Sequence, residues 1–465
     1  MRGIRLNLRK QATMVSWTLK KPRGSFKIRI PLFSLPAVSD LRPCVKPGDL
    51  VMIGQKVADS HDPQGVPVFS GVCGRVVGQV SVEHPVLGNI SALEIQTEGR
   101  EDMVPGLSQE RPHWDHLDSR ELLALFRENG LVEMRGLPLA LHATVMRNAA
   151  TPPSLLIVNA CESEPYGTSA HALTMTHAME VLRGAEILRK ACGAKKLIVA
   201  VQEDILEVVE LLRSKIYFLK WKHAEVCALP AMYPQEMFYP LVRAVTGTNL
   251  LPKRQDALHR GLAADPFLEA DLAASAGIAV HDISTAFAAY EAVALRKPLY
   301  ERAVTVTGEC LIEPKNLRVP LGLAAEDALK ACRGVMREPG ALVLNGPMRG
   351  SRVSDPRMPL AAGDPILAAM PKEATESGPE TSCTHCSRCV EVCPAEISPV
   401  FIALAAQDKE FKEAMKWGAG LCFHCGNCTY ICPSRIPLDR LIHQAQESLF
   451  PAACAPEGAV LAQKE

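Results

Sequence analysis

Cys383-Thr-His-Cys386-Ser-Arg-Cys389-Val-Glu-Val-Cys393-Pro394, followed after a spacer by Cys422-Phe-His-Cys425-Gly-Asn-Cys428-Thr-Tyr-Ile-Cys432-Pro433, decides how this chain is read. Each half repeats Cys-x2-Cys-x2-Cys-x3-Cys-Pro, a run in which three cysteines close on one iron–sulfur cubane while the fourth ligates the other. Two halves therefore predict two 4Fe–4S clusters. Cys383, Cys386, Cys389 and Cys432 would hold one, and Cys422, Cys425, Cys428 and Cys393 the second. Two-residue steps let three thiolates converge on one cube face, and the proline keeps the backbone from continuing as a helix past the fourth ligand. A zinc ribbon needs four ligands rather than eight with paired Cys-Pro ends, and a disulfide framework does not call for this spacing.

Working outward, 465 residues bound the chain at about three domains. Usage of 48% hydrophobic and 22% charged residues is ordinary for a globular protein with a sizeable core. A formal net charge of zero gives no support to a nucleic-acid binder. Of sixteen cysteines, eight sit in the two runs; Cys44, Cys73, Cys161, Cys192, Cys227, Cys310, Cys332 and Cys454 are scattered singly, a usage that belongs in a reducing cytoplasm. No run of eighteen apolar residues appears, and the N-terminus lacks a signal-peptide core, so the chain is not expected to span a membrane. Arg2, Arg5, Arg9, Lys10, Lys20, Lys21, Arg23, Lys27 and Arg29 nonetheless precede the first acid, Asp40. Such a block would dock on an anionic leaflet or an acidic partner, or stand as a solvated basic arm.

From Phe26 to Glu98 short apolar runs alternate with Gly and Pro, which predicts a small β barrel or sandwich. The phrase Lys46-Pro-Gly-Asp-Leu-Val-Met-Ile-Gly-Gln-Lys-Val-Ala58, with Pro67-Val-Phe-Ser-Gly-Val-Cys-Gly-Arg-Val76, resembles the barrel-sandwich module of biotinyl and lipoyl carriers. No lysine stands at the hairpin tip, so no swinging-arm cofactor is expected. Beyond a polar connector, strands Ser154–Ala160, Lys196–Val201 and Glu225–Leu229 alternate with helices Ala172–Cys192 and Ile205–Leu219. Continuous apolar strands between helices of that length indicate a parallel sheet covered on both faces. Its ligand pocket would lie past the strands' carboxyl ends, at the loops after Ala160, Val201 and Leu229. A strand Ile278–Ile283 and a helix Thr285–Leu295 follow; then a β-rich unit around one helix, Ala324–Cys332, suits a β-grasp fold. Residues 351–382, rich in Pro, Ala, Gly and Ser, read as a linker. The cysteine runs are joined by a helix from Pro399 to Trp417, capped by Ser398. Their long spacer is that of a helical ferredoxin rather than a compact bacterial one.

This order of parts, with Pro47-Gly-Asp-Leu-Val51, Asn159-Ala-Cys-Glu-Ser-Glu-Pro-Tyr166, Gly346-Pro-Met348 and the paired cysteine runs, resembles the RnfC-like family over nearly the whole chain. That family forms the C component of the Rnf-type ion-translocating ferredoxin:NAD oxidoreductase. A cobalamin reductase shares the layout, and the flavin-bearing subunit of respiratory complex I shares the middle portion. The resemblance implies a multidomain α/β plus β protein. Its parts would be an N-terminal barrel-sandwich β module with the basic arm (1–98), a complex I flavoprotein-like α/β domain (115–300) and a β-grasp unit (301–352). A linker (353–382), a helical ferredoxin domain with two 4Fe–4S motifs (383–448) and a tail (449–465) would complete it. It also implies a peripheral subunit on the cytoplasmic side of the inner membrane, bound to membrane subunits and a ferredoxin-like redox protein, with no nucleic-acid partner.

Asn159, Glu162, Glu164, Tyr166 and Thr285 match family positions where FMN and NADH bind, and Tyr233, Pro234 and Gln235 match the start of another pocket loop. Three features depart. The glycine-rich loop is reduced to Gly130, Gly136 and Pro138 within Gly130-Leu-Val-Glu-Met-Arg-Gly-Leu-Pro138, and Asp282 replaces an asparagine; Glu236-Met-Phe-Tyr239 also replaces a glycine-bearing continuation. Glu133, Met134, Arg135 and Leu137 would obstruct the close backbone approach that a phosphate needs. Arg135 could instead hold the phosphate itself. The expected activity is thus single-electron transfer through two clusters, with no catalytic residue assigned. The alternatives are an NADH-dependent flavin and iron–sulfur cobalamin reductase, or a non-flavin redox adaptor.

Overall fold

The computed structural model describes residues 2–14, 19, 22, 26–33, 41–147, 151–253, 267–375 and 378–449. Lys20, Lys21 and Arg23 of the basic arm, Asp40, and residues 450–465 of the tail lie outside them. Among the described residues no helix is long and apolar enough to cross a membrane.

The N-terminal unit is two small sheets. Lys27–Pro31, Gly88–Thr97, Gly74–His84 and Leu50–Val51 make a four-stranded antiparallel sheet; Leu41–Pro43, Lys56–Ser60 and Val68–Phe69 make a three-stranded one. Alternation sends Ile28, Ile30, Val57, Val76, Leu93 and Ile95 into one shared core. The turn that resembles a carrier hairpin tip is docked: the Arg127 guanidinium donates to the Pro63 carbonyl at 3.1 Å, and a His142 ring nitrogen lies 3.0 Å from the same oxygen.

The central unit is the expected parallel sheet, in the order Ala224–Leu229, Lys196–Gln202, Leu155–Asn159, Ile278–Asp282. Leu156, Ile157 and Val158 are completely buried because helices cover both faces. Ser169–Cys192 and Ile283–Leu295 pack on one face, Phe238–Thr246 and Leu268–Ser275 on the other. Truncating one of these strand leucines would cost about 2–5 kcal/mol. Gly184 lets the first two helices touch, since a Cβ there would collide with the Ala286 carbonyl.

A five-stranded mixed sheet follows, in the order Lys315–Pro320, Glu301–Thr307, Ile366–Met370, Ala341–Leu344, Ser351–Arg352. Its middle strand, Ile366–Met370, is buried at every position and lies inside the stretch read from sequence as a linker. Residues 366–370 therefore belong to the sheet. Ile-Leu-Ala-Ala-Met is short and alanine-rich, and Pro356, Pro359 and Pro365 punctuate the approach to it, so no local signal marked the strand. Pairing makes it one: it runs parallel to Glu301–Thr307 and antiparallel to Ala341–Leu344.

The cysteine runs sit in a unit of short helices: Arg388–Glu391, Pro399–Gln407, Phe411–Lys416, Asn427–Ile431 and Leu438–Leu449. The single helix expected from Pro399 to Trp417 is two, interrupted near Lys409, whose φ is 60°. Pro399 does open the helix, but the Ser398 side chain makes no capping bond.

Candidate functional site

Both ligand loops adopt the same backbone. Left-handed residues recur at matching places, His385 with His424, Ser387 with Gly426, and Glu396 with Arg435. Such turns fold each Cys-x2-Cys-x2-Cys run back on itself in the same way. In the second loop, Cys422, Cys425 and Cys428 surround a cavity together with Cys393 from the first run, closed by Ile397, Phe423 and Ile442. The fourth side of the cavity is supplied by the other motif, so Cys422, Cys425, Cys428 and Cys393 are the residues that would hold a cubane there. Burial raises the pKa of Cys422, Cys425, Cys428 and Cys393, reaching about 12 at Cys425. These thiols would give up their protons on ligating iron.

At the other quartet, the Thr381 amide donates to the Ser434 carbonyl at 3.0 Å and the Ser434 hydroxyl to the Ser382 carbonyl at 2.9 Å. These bonds bring the segment leading into Cys383 alongside Cys432. Cys386 and His385 are exposed, whereas His424 is turned inward, its ring nitrogen 2.5 Å from the Gln446 side chain. One quartet faces solvent and the other is sheltered.

The sheltered quartet is also the one fastened to the parallel-sheet unit. Tyr233, almost fully buried, donates its hydroxyl to the Cys425 carbonyl at 2.7 Å, and Tyr239 packs on Phe423. Gly426 abuts the Met348 carbonyl, where a Cβ would collide. Met348 in turn donates its amide to Glu164 at 2.7 Å. Burial beside Glu236 pushes the Glu164 carboxyl up to about 8, while the Arg135 and Arg349 guanidiniums outweigh burial at Glu236 and hold it low. Arg349 lies 3.2 Å from Glu236 and 3.8 Å from Glu164.

The N-terminal segment is strapped over the same loops rather than standing in solvent as an arm. Ile4 and Tyr233 exchange backbone hydrogen bonds, the Tyr166 amide donates to the Leu8 carbonyl, Arg9 pairs with Glu309, and Lys10 is buried with its ammonium donating to the Glu162 carbonyl. Arg9 and Lys10 are therefore engaged within the chain. No motif signalled this, because basic residues in a row carry no information about a partner far away in sequence.

Beyond the carboxyl ends of the strands lies a cleft of about 440 Å³, where ligands of such sheets bind. Of the five residues matched to a nucleotide site, Asn159 lines it. Glu162 instead caps the helix Ser169–Cys192, accepting from the Ala170 and His171 amides at 2.9 and 3.1 Å. Glu164 holds the Met348 loop, and Tyr166 turns away to Glu309 at 2.8 Å. Thr285 is buried, accepting from the Met134 amide at 3.0 Å and donating to Glu133 at 3.3 Å. Arg135 does not stand free: its guanidinium meets Asp282 at 2.7 Å, the Cys161 carbonyl at 3.1 Å and Glu236 at 3.6 Å. Glu133 holds His281 at 2.7 Å, a residue that sequence reading did not single out. With these cations and amides committed, the residues do not fit a flavin phosphate.

Residues 126–291 match the family model of the Nuo51 FMN-binding domain, and residues 378–436 that of the 4Fe–4S dicluster domain. The C component of the ion-translocating oxidoreductase complex of Rhodobacter capsulatus is 30% identical, the match covering 84% of this chain and 72% of that one. The C component of the proton-translocating ferredoxin:NAD(+) oxidoreductase complex of Clostridium ljungdahlii is 28% identical over 80% of this chain and 77% of its own. The Na(+)-translocating counterpart of Acetobacterium woodii is 27% identical over 83% and 82%. With cysteine quartets, a parallel-sheet unit and a relative of that identity and coverage all in agreement, the chain belongs to the RnfC family, the C component of ion-translocating oxidoreductase complexes.

Proposed function

We propose that this chain is the iron–sulfur electron-transfer subunit of a membrane-associated ferredoxin:NAD oxidoreductase-type complex, relaying single electrons through two 4Fe–4S clusters. The observation that carries this reading is the cavity ringed by Cys393, Cys422, Cys425 and Cys428, in which the two motifs share a ligand set. Cys383, Cys386, Cys389 and Cys432 form the second set. When bound, each cluster supplies a one-electron carrier whose potential is set by hydrogen bonding and exposure, with low-potential members near about −400 mV matched to ferredoxin-like donors. The chain's own residues do the rest. Exposure around Cys386 makes the solvent-facing quartet the port for a redox protein, and Tyr233, Gly426 and Phe423 fix the sheltered quartet against the parallel-sheet unit.

In this reading the N-terminal sheets are a barrel-sandwich module, the five-stranded sheet is a β-grasp unit, and these surfaces meet the membrane subunits on the cytoplasmic side. The test is anaerobic reconstitution with iron and sulfide, followed by EPR of the reduced protein and stopped-flow reduction by ferredoxin. Two distinct cluster signals and rapid reduction are expected. Protein that takes up zinc, or that retains neither iron nor inorganic sulfide, overturns the proposal.

A further inference from the structure

We infer that Glu133, Arg135 and Asp282 close the cleft to flavin mononucleotide, so that this chain takes electrons singly from a protein donor and not as hydride from a dinucleotide. The inference rests on the cluster relay proposed above and narrows its donor to a class.

A nucleotide phosphate is held at such a sheet by unpaired amides at a helix N-terminus, by a glycine loop that lets the backbone come close, or by a free cation. The helix N-termini and Arg135 are already used, and so are the Glu133 and Met134 amides of the loop. The helix Ile283–Leu295 starts at Asp282, whose carboxylate accepts the Ser284 amide at 2.8 Å and so sits at the anion position itself. The helix Ser169–Cys192 has its first amides on Glu162. In the loop, the Glu133 amide donates to Leu139 and the Met134 amide to Thr285.

Of the surviving glycines, Gly130, at φ 70°, backs onto the Pro67 carbonyl and the Phe69 ring; Gly136, at φ 75°, faces open space in the cleft, and it is Gly363 that has no room for a Cβ, against the Gly136 carbonyl. Arg135 could have received a phosphate, but Asp282 and Glu236 hold it, and Arg349 is held by Glu236 at 3.2 Å. The cleft also faces a ligand with Glu133, Glu236, Glu269 and Asp282 against those two arginines, which repels an anion.

The chemical consequence follows from electron count. Hydride transfer delivers two electrons and a proton nucleus together and needs an acceptor able to take both, the part a flavin plays. A 4Fe–4S cluster accepts one electron. With the flavin excluded, the balanced step is that a reduced donor protein loses one electron and an oxidised cluster gains it, with no proton moved in the cleft.

The test uses the full chain with its clusters loaded anaerobically. Flavin released by acid is measured by fluorescence, and FMN is titrated into the protein by fluorescence quenching. Expected are no stoichiometric flavin, no saturable binding up to about 100 µM FMN, and clusters bleached by reduced ferredoxin but not by NADH with FMN present. The variant Glu133→Gly/Arg135→Gly/Asp282→Asn should bind FMN at least about tenfold more tightly. Wild-type protein that carries one FMN per chain, or whose clusters NADH bleaches, overturns the inference. So does a variant with intact circular dichroism and iron content that still refuses FMN. If the triple variant does not fold, Asp282→Asn alone, which keeps a capping oxygen, is titrated against the same criterion. Missing iron or sulfide would instead indict the relay, so the two failures are distinguishable.

Discussion

Replacing Glu164 by glutamine should make the protein more stable at neutral pH, and increasingly so as pH rises. The carboxyl is 1% exposed, and burial beside Glu236 raises its pKa from 4.5 to about 8. A group whose folded value lies above its unfolded value contributes stability below the unfolded pKa and loses it as pH climbs through the folded one. Between pH 4.5 and 8 the wild type therefore gives up about 1.4 kcal/mol per pH unit, and by pH 7 about 3 kcal/mol. Glutamine does not titrate, and its carbonyl oxygen can still accept the Met348 amide. In a unit of this size the gain corresponds to about 6–12 °C in melting temperature at pH 7, shrinking to nothing near pH 4.5. Paired thermal melts of both proteins at half-unit steps from pH 4.5 to 8 measure it. A melting-temperature difference that does not change with pH, or a variant less stable throughout, refutes the protonated-carboxyl account.

Replacing Cys393 by serine should lose the cluster held by the downstream triplet while sparing the upstream one, leaving about four irons per chain with the upstream EPR signal intact; loss of the upstream signal instead would contradict the shared cavity. Tyr233→Phe should cost about 1–2 kcal/mol, because the buried Cys425 carbonyl loses its 2.7 Å donor; an unchanged melting temperature and midpoint potential of the sheltered cluster would show that this bond is not structural. Gly426→Ala should be worse, adding a left-handed alanine at about 1–2 kcal/mol to a collision with the Met348 carbonyl; limited proteolysis should then release the iron–sulfur unit. Asp364 accepts the Ala361 amide at 2.7 Å and lies 3.0 Å from His84, and despite burial its pKa is held below the ordinary aspartate value by His84 and that amide. Its contribution is present above that value and lost as pH falls, so Asp364→Ala should cost about 3 kcal/mol at pH 7 and progressively less in acid, read by denaturant titration.

Local pattern carried a large part of this protein. Two cysteine runs state their own chemistry, because cluster ligation depends on spacings of two and three residues that sequence records directly. Long apolar strands between amphipathic helices likewise announced the parallel sheet, and Leu155–Asn159, Lys196–Gln202 and Ile278–Asp282 stand where the periodicity put them. The strand Ile366–Met370 was not legible, since its five apolar residues become a strand only between two partners from elsewhere in the chain. Of the residues matched to a nucleotide site only Asn159 lines the cleft, and what the other side chains do was not legible.

Glu162 and Glu164 sit where the motif placed them, yet one caps a helix and the other clasps the loop that touches the cluster unit. Lys10 looked like one more charge in a basic arm and is a buried cation under the Glu162 carbonyl. Sequence by itself determined the cysteine runs, the sheet and the family likeness, since each rests on residues near one another along the chain. Tertiary structure alone decided which quartet is exposed, how the sheltered one is fastened, and that the cleft's cations are already paired, because burial and charge pairing depend on residues that meet only when the chain folds.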